Sequence, residues 1–402
     1  MDDDMEDKKY LIIMSTGKSG SYLLMGLLDW HPEVLVFPTE ENFVDDWLSL
    51  QVSRCGIDKQ INTQNLPFSK LKFVDVFDWH MKHHFYLFEM AGQRAKDEKQ
   101  TRGRDYSNVN YSTFVSRLAS VKKSEIDIIE WLSAIFESYR DSVEKHNSVN
   151  PQYFAFKTTF PSSFTRYTDI LPNAKFIHLV RHPYDTFNSF KRNQIINKKL
   201  NYFRGDYDLL ENMIEKKLAP LFDNVNSALH FRDQHYIIKY EDIVLNPRRE
   251  TMRLCEWLNI SWNENMIVPT LAGKPFIQQS ENRNVKHDGS ISTKRTSVFT
   301  ETLGNTEVRL IDYLFYDSMR LLGYSTKYGI SRRSLLCLIL GLMLPFKLEL
   351  KNWRFYSIIG MFSRRLFILL KVTNKSISRL MVEWQDIEFT LKKVINRIRR
   401  SS

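Results

Sequence analysis

Cysteine is scarce in this chain of 402 residues, which has only Cys55, Cys255 and Cys337, far apart in the sequence. They form no metal-ligating or redox motif, so we expect free thiols in a reducing compartment. The strongest apolar run covers only 335–346, and a helix that crosses a bilayer needs about 20 residues. The first residues are acidic and resemble neither a signal peptide nor a membrane anchor, so we predict a cytoplasmic protein.

The formal net charge of +10 originates in the C-terminal part of the chain. Residues 331–402 carry 15 Lys/Arg against 4 Asp/Glu, whereas the other 330 residues carry 42 against 43. The main body therefore has no basic excess, and we predict no nucleic-acid partner. We predict a main domain over 1–330 and a basic tail over 331–402.

The tail has the apolar spacing of an amphipathic helix. Its last segment repeats apolar residues at steps of three and four, namely Ile377, Leu380, Trp384, Ile387, Leu391, Val394 and Ile398. Such a helix can lie on an anionic membrane surface, form a coiled coil with another subunit, or pack on its own domain. We favour peripheral attachment to a membrane, because aromatic and basic residues accompany the apolar face.

Strands and helices alternate along most of the chain. The apolar runs predict strands over 10–14, 34–37, 153–157, 175–180 and 236–240. Periodicity and end signals predict helices over 20–30, 125–145, 185–197, 207–230, 248–258 and 305–322. This order predicts an α/β fold with a mostly parallel sheet covered on both faces. Residues 42–150 interrupt the order, and we expect this insertion to select the substrate.

Residues 15–21, with the sequence STGKSGS, join the first predicted strand to the first predicted helix. A small-residue loop at a helix N-terminus points backbone N–H groups at one spot, and Lys18 adds a full positive charge. The loop therefore predicts a seat for phosphate or sulfate, although a turn with a solvated lysine is the plain alternative. The nucleoside triphosphatase loop would need glycine at position 12, where Ile12 lies within the strand.

A second segment points to the same edge of the sheet. Arg181 ends the strand predicted over 175–180, and Ser189 follows about two helical turns later. Ligands of parallel sheets bind outside the carboxyl ends of the strands. An arginine there can hold a phosphate through two parallel hydrogen bonds, and a serine can add a third.

Four elements in this order resemble the family of sulfotransferases that use 3′-phosphoadenosine 5′-phosphosulfate (PAPS). They are the loop at 17–21, the segment LDWHPE at 28–33, Arg181 with Ser189, and the segment around Tyr240 that ends at Pro247. The resemblance implies a P-loop-like three-layer α/β/α fold with a helical C-terminal extension, and PAPS as donor without a metal. It implies donor contacts from the following residues: Gly17, Lys18, Ser19, Gly20, Ser21, Tyr22, Arg181, Ser189 and Tyr240.

The resemblance also implies catalytic residues. Lys157, in the segment FKTT, is similar to the family's second lysine, although Thr159 stands where proline is usual and a surface lysine is the alternative. Glu40, after Pro38, matches the position of a catalytic glutamate, and its neighbour Glu41 is the rival base. An exposed acidic turn is the plain alternative for both.

Five further residues are candidates for the site. Lys294 and Arg295 lie in a hydroxyl-rich loop that could close over the nucleotide, or they could be solvated charges. A histidine among His80, His83 and His84 is another candidate base, and zinc lacks an indicated third ligand there.

These observations predict a sulfotransferase that moves the sulfuryl group of PAPS to a hydroxyl of a carbohydrate or glycolipid. A kinase-like phosphotransferase is the alternative, opposed by Ile12 and by the lack of an evident Mg²⁺-binding aspartate. A non-catalytic nucleotide-binding protein at a membrane is the third hypothesis. The acceptor and the oligomeric state are not indicated by the sequence.

Overall fold

The computed structural model describes residues 9–40, 42–54, 66–85, 105–143, 151–196, 217–276, 291–293 and 303–330. These residues divide into two compact units. The first unit runs to residue 196 and resumes over 217–293, and the second covers 303–330. The tail predicted over 331–402 lies outside the described residues.

Short and long strands form three sheets within the described ranges. Five strands make a parallel sheet in the order β2-β5-β1-β6-β7, and the others pair antiparallel as β3-β4 and β8-β9. The strands are β1 Lys9–Ser15, β2 Val34–Glu40, β3 Leu71–Lys72, β4 Glu125–Ile126, β5 Tyr153–Thr158, β6 Lys175–Val180, β7 His235–Lys239, β8 Thr270–Leu271 and β9 Lys274–Pro275. All five strands predicted for the main sheet are confirmed.

Helices flank the five-stranded sheet, which confirms the predicted P-loop-like α/β fold. In the first unit they are α1 Ser21–Leu28, α2 Phe43–Arg54, α3 Phe73–His80, α4 Tyr111–Ala119, α5 Ile128–Ser142, α6 Phe164–Ile170, α7 Pro183–Ile196, α8 Ala219–Ala228, α9 Tyr240–Leu245 and α10 Pro247–Leu258. A further helix, α11 Asn305–Leu321, belongs to the second unit and corresponds to the helix predicted over 305–322, whereas the extension predicted over 331–402 lies outside the described residues.

Strand β1 lies in the middle of the main sheet, between β5 and β6. Its residues 10–14 are buried, as expected for a parallel strand that helices cover on both faces. The chain leaves β1 toward β2 on one side of the sheet and later returns to β6 on the other side. Such a reversal of strand order opens a crevice at the carboxyl ends of the strands, where ligands of these folds bind.

Strand β2 changes register near its end. Val36 pairs with Ala155 of β5, but Glu40 pairs with Lys157, so four steps along β2 match two steps along β5. Pro38 lies within this irregular stretch and has no N–H to donate to the ladder. The irregularity brings Glu40 opposite Lys157 at the edge where the binding crevice is expected.

The insertion predicted over 42–150 contributes to the hydrophobic core. Trp47 on α2, Val76 on α3, Phe114 on α4 and Trp131 on α5 are all nearly fully buried. Helix α5 begins with a capping box between Asp127 and Glu130, which satisfies N–H groups of its first turn. The described part of this segment therefore stabilises the sheet, and its role in choosing the acceptor stays a prediction.

Candidate active site

The loop between β1 and α1 has a strained backbone. Lys18 has a φ of 71° and Gly20 a φ of 91°, both in the left-handed region that costs about 1–2 kcal/mol for a residue with a side chain. The hydroxyl of Ser19 donates to the carbonyl of Thr16 at 2.7 Å and closes the turn. The N-cap of α1 is Gly20, which has no side chain to cover the helix N-terminus. This geometry suits the anion seat predicted from residues 15–21.

Two glycines of the loop have different surroundings. A Cβ added to Gly17 would meet no atom within 4 Å, so the loop presents an open face at this residue. A Cβ added to Gly20 would lie 2.3 Å from the ring of Tyr240, and its positive φ also disfavours any other residue. The loop is thus packed against Tyr240 on one side and can approach a phosphate group on the other.

Arg181 connects the loop to the end of β6. Its Nη1 donates to the carbonyl oxygen of Lys18 at 2.9 Å, and its guanidinium lies 4.8 Å from the ring centroid of Tyr240. A guanidinium has five N–H donors, so binding this carbonyl is compatible with binding a phosphate. The next residue, His182, donates its backbone N–H to Glu241 at 2.9 Å. Three of the predicted elements, namely the loop, Arg181 and Tyr240, therefore meet.

Ser189 lies about two turns along α7 and is half-buried. Its predicted contact with the donor's 3′-phosphate stays a prediction. Ser21 begins α1 and is buried, which is consistent with a role of its backbone rather than its hydroxyl in holding an anion.

Glu40 and Lys157 form an ion pair across β2 and β5. The Nζ of Lys157 donates to Oε2 of Glu40 at 2.6 Å, and the hydroxyl of Thr159 donates to Oε1 at 2.5 Å. The Lys157 side chain is fully buried, whereas 35% of the Glu40 side chain is exposed. The Lys157 ammonium is thus buried beside a partly exposed glutamate side chain, which corrects the alternative that Lys157 is a surface lysine.

The charge state of Glu40 follows from these contacts. Burial raises the pKa of the carboxyl, but the charge of Lys157, the hydrogen bonds from Lys157 and Thr159, and the charge of Lys217 lower it to about 2. Glu40 is therefore ionised at neutral pH and able to accept a proton. The same contacts make Glu40 a weaker base while Lys157 donates to its carboxylate.

Tyr22 links the ion pair to the anion loop. The Nζ of Lys157 lies 3.8 Å from the centroid of the Tyr22 ring, a favourable cation–π distance. Tyr22 is the second residue of α1, and its ring also stacks on Phe276 at 6.2 Å. The loop, the buried lysine and the carboxylate consequently share one edge of the sheet.

Lys217 is a cation of this site that the sequence did not indicate. Its Nζ donates to the carbonyl oxygen of Thr159 and lies 3.6 Å from the ring centroid of Phe160. Lys217 precedes α8 by two residues and no motif surrounds it, so only its position in the fold reveals it.

The family model described as Sulfotransferase family matches residues 11–264, which is more than half of the chain. The chain belongs to the sulfotransferase family. The comparison with curated proteins found no match to this sulfotransferase.

Solved structures similar to this sulfotransferase include three of low sequence identity. The sulfotransferase domain from the curacin biosynthetic pathway is 15% identical, with a TM-score of 0.48 over 80% of this chain and 99% of its own. The sulfotransferase domain from the Synechococcus PCC 7002 olefin synthase is 17% identical, with a TM-score of 0.46 over 80% and 98%. Retinol dehydratase in complex with retinol and PAP is 12% identical, with a TM-score of 0.35 over 81% and 85%.

Three candidate residues of this sulfotransferase cannot be placed. Glu41, Lys294 and Arg295 lie outside the described residues. Glu41 therefore stays a rival base on the strength of the sequence alone.

The histidine candidates have structural contacts instead. Trp131 donates to Nε2 of His80 at 3.3 Å, while Nδ1 of His80 lies 2.9 Å from the carbonyl of Val76. Burial lowers the pKa of His80 to about 3, so this ring stays neutral and packed. His84 lies 3.3 Å from Asp46. In the part of the chain that the structure describes, no three potential metal ligands lie together.

None of the helices within the described ranges is long and apolar enough to cross a membrane.

Proposed function

We propose that this sulfotransferase transfers the sulfuryl group of PAPS to a hydroxyl, with Glu40 as the base. The observation that supports this most directly is the Glu40–Lys157 pair, which Tyr22 joins to the anion loop. A base, a buried cation and an anion seat at one edge of a parallel sheet are the parts that this transfer needs.

The loop and Arg181 fit the two charged ends of the donor. The open face at Gly17 allows the backbone and Lys18 to hold the 5′-phosphosulfate. Arg181, at the end of β6, would hold the 3′-phosphate together with Ser189. PAPS, when bound, supplies the sulfuryl group and the leaving bisphosphate.

Glu40 would accept the acceptor's hydroxyl proton as the acceptor oxygen bonds to sulfur and the bond between sulfur and the phosphate oxygen breaks. Lys157 would neutralise negative charge on the sulfuryl and leaving oxygens. An anionic partner for Lys157 also weakens its hold on Glu40, and a carboxylate with a weaker partner is a stronger base. Lys157 thus links donor binding to the basicity of Glu40.

The acceptor we propose is a hydroxyl of a carbohydrate or glycolipid. An aliphatic hydroxyl holds its proton more tightly than a phenol does, so its transfer depends more on a base such as Glu40. Transfer of radiolabelled sulfate from PAPS to a panel of glycans, glycolipids, sterols and phenols identifies the acceptor class.

Calorimetry with adenosine 3′,5′-bisphosphate, AMP and ATP tests the donor. We expect the bisphosphate to bind at least about tenfold more tightly than AMP, since a charge-assisted contact to the 3′-phosphate contributes about 1.5 kcal/mol or more. Arg181→Ala should remove this preference. Unchanged AMP binding by the variant shows that losing the contact to Lys18 has not disrupted the loop. A preference for ATP would contradict the proposal.

We also propose a cytoplasmic enzyme that residues 331–402 hold at an anionic membrane surface. The 15 basic residues of this segment supply the attraction. The full chain should sediment with vesicles containing phosphatidylserine, and a chain ending at residue 330 should stay in the supernatant. Raising the salt concentration should release the full chain, and equal sedimentation of both chains would refute the proposal.

A further inference from the structure

Thr159 occupies an unusual place beside the candidate base. It follows β5 directly and is nearly fully buried. Its hydroxyl donates to Oε1 of Glu40 while Lys157 holds Oε2, so each carboxylate oxygen has its own donor. The terminal torsion of a glutamate side chain is otherwise broad, and two donors on different oxygens restrict it.

The segment that carries Thr159 is itself held on both sides. The hydroxyl of Thr158 donates to Oδ1 of Asn42 at 2.8 Å and accepts from the backbone N–H of Phe160 at 3.2 Å. The carbonyl of Thr159 accepts from Lys217. The backbone on either side of Thr159 is therefore tied down, and its hydroxyl is aimed at Glu40 from a supported position.

A purely structural role explains these contacts less well. The Glu40 side chain is partly exposed and already has an ion-pair partner in Lys157, so a further donor from Thr159 is not needed to neutralise its charge. The hydroxyl of Thr159 instead supplies orientation that water does not, since a bound water can move with the carboxylate. Lys157 alone cannot orient the Glu40 carboxylate if sulfuryl oxygens compete for its ammonium.

We propose that Thr159 is a positioning residue for sulfuryl transfer, whose hydroxyl keeps the Glu40 carboxylate turned toward the acceptor when Lys157 engages the donor. This inference rests on the proposed function of Glu40. It assigns to Thr159 a part in turnover and none in donor binding.

The test compares Thr159→Val, which keeps the shape and removes the hydroxyl, with Thr159→Ser, which keeps the hydroxyl. The probe reaction is sulfate release from radiolabelled PAPS with water as acceptor. We expect Thr159→Val to lower kcat by about 10- to 100-fold, the loss typical of a misplaced catalytic group, with KM for PAPS within about threefold. Thr159→Ser should retain kcat within about threefold. Thr251→Val, which removes a buried threonine hydroxyl on α10, is the matched control and should leave kcat within about twofold.

Two further readouts keep the test decisive. Infrared difference spectra against Glu40→Gln should show that the Glu40 carboxylate band at pH 7 moves in Thr159→Val and stays in Thr159→Ser. Removing a hydrogen bond to the charged form should also raise the pKa of Glu40, so the acid limb of kcat moves to higher pH in Thr159→Val. If the valine variant does not fold, Thr159→Ala takes its place with the same expectations.

Equal losses in the valine and serine variants, or a valine variant with kcat within twofold of the parent, would overturn the positioning role. A loss confined to KM for PAPS would also overturn it. Failure of the proposed function gives a different result, because the parent enzyme would then neither release sulfate from PAPS nor prefer adenosine 3′,5′-bisphosphate over AMP.

Discussion

Replacing Glu40 by glutamine is expected to lower kcat for sulfuryl transfer by about 10²- to 10⁴-fold, the usual contribution of a general base. Glutamine keeps the shape and can still accept from Thr159, but it cannot take up a proton. Binding of adenosine 3′,5′-bisphosphate should stay within about threefold, since Glu40 is assigned no contact with the donor. Rates of sulfate release from radiolabelled PAPS, together with calorimetry on the same preparation, measure both effects.

Glu33→Gln is the control for this substitution. Glu33 lies just before β2, at the opposite end from Glu40, and accepts from Gln152 and from the backbone N–H of Ser261. Its loss removes a comparable carboxylate and should leave kcat within about twofold. Retention of more than a tenth of the parent kcat by Glu40→Gln would show that another group, with Glu41 the first candidate, acts as the base.

Glu40→Gln should also lower the free energy of unfolding. Losing one partner of a fully buried ion pair costs about 3–5 kcal/mol, and we expect about 1–2 kcal/mol here because one-third of the Glu40 side chain is exposed. The folded pKa of about 2 lies below the ordinary value of 4.5. The contribution of Glu40 to the free energy of unfolding is therefore complete above about pH 4.5 and disappears as the pH falls toward 2.

Lys157→Met is expected to lower kcat by about 10²- to 10³-fold, the loss found when one donor to developing negative charge is removed. Methionine fills the buried volume, but Glu40 loses its charged partner, and removing one partner of a buried ion pair is destabilising. We therefore expect a melting temperature below that of the parent protein, measured by calorimetry alongside turnover.

Lys175→Met provides the matched comparison for this lysine. Lys175 begins β6, and its ammonium lies 4.5 Å from the ring centroid of Trp257 and donates to its carbonyl. This lysine is at the amino end of its strand, away from the crevice edge, so kcat should stay within about twofold. An active Lys157→Met enzyme would refute the role assigned to the buried cation.

The framework of this site could be predicted from the sequence because it depends on local patterns. Apolar runs predicted every strand of the main sheet, and small residues after β1 predicted the anion loop. Arg181 and Lys157 became candidates because each stands at or near the carboxyl end of a buried strand and resembles a residue of the family's motifs, and their roles stay predictions. Parallel strands bring such residues to one edge whatever their separation in the chain.

The pairwise contacts across the sheet could not be predicted from the sequence. The pairing of Glu40 with Lys157 depends on β5 lying beside β2 and on the irregular register after Val36. The contact of Thr159 with Glu40 depends in turn on that pairing. Neither has a signal in the residues themselves, which is why Thr159 was noticed only as a departure from the usual proline.

Helix α2 had a signal that the prediction overlooked. Its buried apolar residues are spaced as one face of a helix, namely Phe43, Val44, Trp47, Leu48, Leu50 and Val52. The acidic residues Asp45 and Asp46 in its first turn made the segment look like a polar insertion, although acidic side chains are favourable at that end of a helix.

In the irregular stretch of β2, the number of residues, as well as their identity, determines whether Glu40 lies opposite Lys157. Successive side chains of a strand point to opposite faces, so one residue removed between Val36 and Glu40 would turn the carboxylate away from its lysine. Point substitutions cannot move the Glu40 carboxylate to a neighbouring position along the pairing of β2 with β5, but insertions and deletions can. Libraries intended to retarget this scaffold should therefore vary the length of this stretch.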